Sequence, residues 1–119
     1  MKKVVILLNQ SPFANSSFRE GLEMAMAMAA IEHQVTVLYQ AAAVTALTSP
    51  ATAAPEVLGC KNVLASQRLF SLYDINAAIL ASAAAAYGIS AQACAIDLEW
   101  LSDAEAHQLM STSDIILSY

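Results

Sequence analysis

The chain has 119 residues, the length of one ordinary domain and enough to bury a core without disulfides or a structural metal. Hydrophobic residues make up 58% of it and charged residues 13%, against about 45–50% and about 25% in ordinary domains. That balance excludes a disordered chain and leads us to expect an oligomer, because so little charge covers a monomer poorly. The net charge of −5, with all five basic residues (Lys2, Lys3, Arg19, Lys61, Arg68) ahead of Leu69, argues against a subunit that grips nucleic acid through its phosphates.

Met1-Lys2-Lys3 followed by Val4–Leu8 has the look of a signal peptide. The apolar run is only five residues long, short of the roughly seven that a signal core needs, so a strand covered on both faces is expected there. A polar loop, Asn9–Ser16, leads to Ser17-Phe18-Arg19-Glu20, the pattern of a capping box, opening a helix to about Glu32. Val35–Tyr39 predicts a second strand, Ala41–Leu47 a short helix, and Thr48–Pro55 a flexible loop. Glu56–Leu72 has helix-forming composition, with apolar Val57, Leu64, Leu69 and Leu72. Ile75–Ala81 predicts a third strand, Ser82–Tyr87 an alanine-rich turn or short helix closed by Gly88, and Ala93–Ile96 a fourth strand. Ser102-Asp103-Ala104-Glu105 is a second capping box, opening a helix to about Ser111, and Ile115–Leu117 predicts a last strand. The stretch Ile75–Ile96 carries no charge and is long enough to cross a bilayer. Asn76, Ser82, Gly88, Ser90 and Gln92 interrupt it, however, and a strand–helix–strand is expected instead. Strands alternating with helices predict an α/β fold: a single domain over residues 1–119 with a central, mostly parallel sheet of about five strands flanked by helices.

The first helix has apolar residues on two stripes. At about 100° per residue, Phe18, Leu22, Ala25, Met26 and Ala29 share one, and Met24, Met28 and Ile31 lie on another. A helix that only covers a sheet needs one such stripe, so Met24, Met28 and Ile31 are expected to meet a partner subunit. The plainer alternative is that Met and Ala are simply good helix formers.

No catalytic motif stands out. The loop after the first strand contains no glycine, and the chain has neither GxGxxG nor a P-loop, so the usual dinucleotide and nucleoside triphosphate sites are not expected. Cys60 is the one candidate nucleophile, because a predicted helix start and Lys61 both favour a thiolate; its plainer reading is an adventitious thiol. Cys94, in an apolar run, reads as core filler. His33 and His107 have no neighbouring ligand at metal-site spacing and read as structural. Asp97 and Glu99 fall where the fourth strand is expected to end, the place where α/β sites form, although a solvated loop is the simpler reading. Ser11, Ser16 and Ser17 lack the sequence context of a hydrolase triad. No cofactor and no metal are expected. Two distant cysteines without a CxxC suit a reducing cytoplasm.

Beyond these motifs, Ser17-Phe18-Arg19-Glu20-Gly21-Leu22-Glu23 after the first strand, Leu72-Tyr73-Asp74-Ile75 before the third, and the ending Leu109-Met110-Ser111-Thr112-Ser113-Asp114-Ile115-Ile116-Leu117-Ser118-Tyr119 resemble the DsrE/DsrF/DsrH family of sulfur-relay proteins, with the TusC/DsrF subunit as the nearest type. The resemblance implies a parallel α/β domain that joins TusB/DsrH-like and TusD/DsrE-like paralogues in a heterohexamer. It also implies relay of persulfide sulfur, toward 2-thiouridine at the tRNA wobble position or within sulfur oxidation. The carrier chain of such a complex holds sulfur on a cysteine at the end of the third strand, eight residues before a glycine. Eight residues before Gly88 stands Leu80. The expectation is therefore a non-catalytic structural subunit, cytoplasmic, touching neither RNA nor membrane directly, with paralogues or further copies of itself as partners. A stand-alone homo-oligomeric binding module of the same fold is the alternative, and a thiol enzyme using Cys60 is a third reading.

Overall fold

A computed structural model describes residues 2–10, 16–47, 70, 72–89 and 98–119. In chain order these form β1 (Lys3–Leu8), α1 (Ser17–Ala30), β2 (Gln34–Tyr39), a 3₁₀ segment (Ala41–Leu47), β3 (Asn76–Leu80), α2 (Ala81–Ala86), β4 (Glu99–Leu101), α3 (Asp103–Ser111) and β5 (Ile115–Ser118). The five strands make one sheet in the order β4-β3-β2-β1-β5, and every pairing is parallel. The chain steps outward from β1 to β4 and then returns to the far side of β1. Right-handed crossovers place the helices of the outward steps on one face and the helix of the return on the other.

The two buried clusters follow that division. On the α1 face, Val4, Ile6 and Leu8 of β1 and Val35, Val37 and Tyr39 of β2 pack against Phe18, Leu22 and Ala25, with Phe70, Ile79, Ala83 and Ala84 extending the layer. The Phe18 and Tyr39 rings lie 6.1 Å apart, tilted by 47°, a favourable aromatic arrangement. On the opposite face, Val5, Leu38, Ala78 and Leu101 pack against Ala106, with α3 as their helical cover. Both faces of β1 are thus apolar, as a strand inside a parallel sheet requires.

α1 approaches the sheet closely at Gly21. A Cβ there would collide with the Leu8 side chain and sit 3.2 Å from Tyr119, so glycine lets the helix lie down at this point. The helix begins at Ser17, with Ser16 as N-cap. The expected capping box around Ser17 is therefore not formed. Ser16 already has helical backbone angles and no side-chain cap bond, and its hydroxyl instead donates to the Glu20 carboxylate at 2.8 Å. The second box is complete. Ser102 Oγ accepts from the Glu105 N–H at 3.2 Å, and Glu105 Oε1 accepts from the Ser102 N–H at 3.0 Å.

Two other expectations differ from the structure. The strand beside β3 is Glu99–Leu101, so Glu99 opens a strand at the amino edge of the sheet instead of closing one at the carboxyl edge. It is held there by register with Ala78 and by burial of Leu101 under α3. Leu72, expected on the apolar side of a helix, sits in a turn and is 75% exposed. The expected strand Ala93–Ile96, the loop Thr48–Pro55 and most of Glu56–Leu72 lie outside the described residues. None of the described helices is long and apolar enough to cross a membrane.

Candidate functional site

In an open parallel sheet, ligands gather at the carboxyl ends of the strands, at the point where the winding direction reverses. Here that point lies between β1 and β5. The residues that follow β1 and β2, and the last residue of β5, form a polar chain across it. Gln40 Nε2 donates to Asn9 Oδ1 at 2.5 Å, and Asn9 Nδ2 donates to Ser118 Oγ at 2.8 Å. Backbone bonds hold the same residues, from the Asn9 N–H to the Tyr119 carbonyl at 2.8 Å and from the Gln40 N–H to the Leu8 carbonyl at 3.0 Å. Directly after Gln40, Ala41 has a φ of 51°, a left-handed conformation that costs an alanine energy. Strain of this kind gathers at functional segments. The set is neutral, two amides and a hydroxyl, so it can bind and orient a polar group but carries no acid or base to move a proton.

A second polar tie joins the neighbouring carboxyl ends. β3 finishes at Leu80, which is half-buried and serves as the N-cap of α2 without any side-chain cap bond. Two residues on, Ser82 Oγ donates to Asp103 Oδ1 at 2.9 Å, linking α2 to the first turn of α3. Gly88 follows α2 with a φ of 67°, the left-handed geometry that glycine adopts freely. The position at which the resemblance places a carrier thiol is thus the end of the third strand, as expected, and it holds an aliphatic side chain.

The amino edge of the sheet is also polar. Gln34, Thr36, Asn76 and Glu99 floor an open groove of about 460 Å³ beneath Glu105, Gln108 and Thr112 of α3. The Ser102 backbone N–H, and after it the Ser102 hydroxyl, hold the Glu105 carboxyl below the usual glutamate range, so the capping carboxylate stays ionised. Burial pushes the Tyr39 phenol well above its ordinary value, keeping it neutral inside the core.

The residues singled out from sequence lie apart. Met24 and Met28 are half-buried and pack against the α1-face core, flanking the stripe that holds Phe18 and Leu22. Ile31, the C-cap of α1, is 63% exposed. Cys60, Cys94 and Asp97 lie outside the described residues, as do Lys61 and Arg68, while Arg19 pairs with Glu23 at 3.8 Å on the surface of α1. His33 sits at the amino edge, where its Nδ1 accepts from the Lys2 N–H at 3.2 Å. His107 is exposed on α3. Among the described residues, no group of three or more His, Cys, Asp or Glu side chains could hold a metal. Sequence reasoning missed Asn9, Gln40 and Ser118 as a unit. The available signal was that each lies at or just past the end of an apolar strand.

These elements define an α/β domain with an open, five-stranded parallel sheet and a neutral polar site at its carboxyl edge. The family model for DsrE/DsrF-like proteins matches residues 2–119, and the chain belongs to that family. Among solved structures, the fold is similar to that of the YchN protein from E. coli, with a TM-score of 0.83 and 21% sequence identity over 100% of both chains.

Proposed function

We propose that this chain is a non-catalytic structural subunit of a sulfur-relay complex of the TusBCD/DsrEFH type, serving tRNA wobble 2-thiouridine synthesis or sulfur oxidation in the cytoplasm. One observation carries this reading within the family. The last residue of β3, eight positions before Gly88, is the half-buried Leu80, and an alkyl side chain cannot take up a persulfide sulfur. The neutral character of the polar chain Gln40–Asn9–Ser118 supports it, since binding and holding need no proton transfer. Partner subunits of the TusB/DsrH and TusD/DsrE types supply the thiol chemistry and the contact with RNA. The acidic second half of the chain, where every charge from Leu69 onward is negative, supports a role away from phosphate.

Affinity purification of the tagged chain from its native host, followed by mass spectrometry of the co-purifying proteins, tests this. The expected result is two paralogous chains at equal stoichiometry, one with a cysteine at the end of its third strand. Recovery of the chain alone, as a homo-oligomer, overturns the reading and favours a stand-alone binding module of the same fold.

A further inference from the structure

We draw no further inference here: the strongest candidate, the open polar groove at the amino edge of the sheet between Gln34, Asn76 and Glu99 and the α3 side chains Glu105 and Gln108, is lined at these five positions by exposed side chains, and nothing among the described residues shows what occupies it.

Discussion

The two faces of the sheet are buried to different depths. Of the ten largest fully buried side chains among the described residues, Val5 and Leu38 belong to the α3 face and the other eight to the α1 face. α1, the 3₁₀ segment and α2 cover one side, whereas the nine residues of α3 cover the other. A single helix, about 10–12 Å across with its side chains, spans only two or three of five strands spaced about 4.8 Å apart. Around α3 this face is polar, at Gln34, Asn76 and Glu99 in the groove beside the helix, or carries an exposed apolar residue, Ile116. Among the described residues the α1 face therefore holds most of the buried core, and the α3 face is the more lightly covered.

The largest expected effect separates the faces directly. Phe18→Ala removes a fully buried ring that touches Tyr39 and is expected to cost about 3–5 kcal/mol. Leu109→Ala, on the half-buried side of α3, should cost less than half as much, because part of its surface already meets water. Urea denaturation of the two variants measures this, and equal losses would break the contrast. Gly21→Ala comes next. The new methyl must displace the fully buried Leu8 side chain and press on Tyr119, an overpacking expected to cost about 1–3 kcal/mol. The same readout applies. A smaller effect belongs to the lightly covered face: Ser102→Ala removes the N-cap of α3 and is expected to cost about 1 kcal/mol.

The cap of α3 also carries a pH signature. Because Glu105 binds its proton less tightly in the folded chain than in the unfolded one, the cap stabilises the fold at neutral pH. That stabilisation fades as pH falls through and below the usual glutamate range. Thermal melts from neutral pH into acid should fall less steeply for Ser102→Ala than for the native chain. Parallel slopes would show that the box contributes nothing to the pH dependence.

Much of this architecture was legible in the residues. Val4–Leu8 and Val35–Tyr39 announced strands buried on both faces, and Ser102 with Glu105 announced the start of α3 through local chemistry alone. Errors arose where the deciding contact was distant. β4 is defined by its pairing with Ala78 and by Leu101 beneath α3, contacts that the short run Glu99–Leu101 does not announce by itself. Ser16 displaced Ser17 as N-cap because the backbone was already helical one residue earlier, which side-chain preference cannot reveal. The candidate site was the least legible part. Asn9 and Ser118 are 109 positions apart in the chain and meet only because β5 returns to the side of β1. The gap at Leu80, by contrast, could be counted from Gly88, since α2 and its glycine follow β3 without interruption.

The central question about this chain is whether it carries sulfur itself. Intact-mass analysis after incubation with a low-molecular-weight persulfide donor, and removal of the excess donor, reads this directly. A structural subunit with Leu80 at the end of β3 predicts that the native chain keeps its unmodified mass, while a TusD/DsrE-type paralogue treated in the same way gains one sulfur atom. A stoichiometric gain of one sulfur by this chain, lost in Cys60→Ser, would contradict the non-catalytic assignment and make Cys60 a carrier.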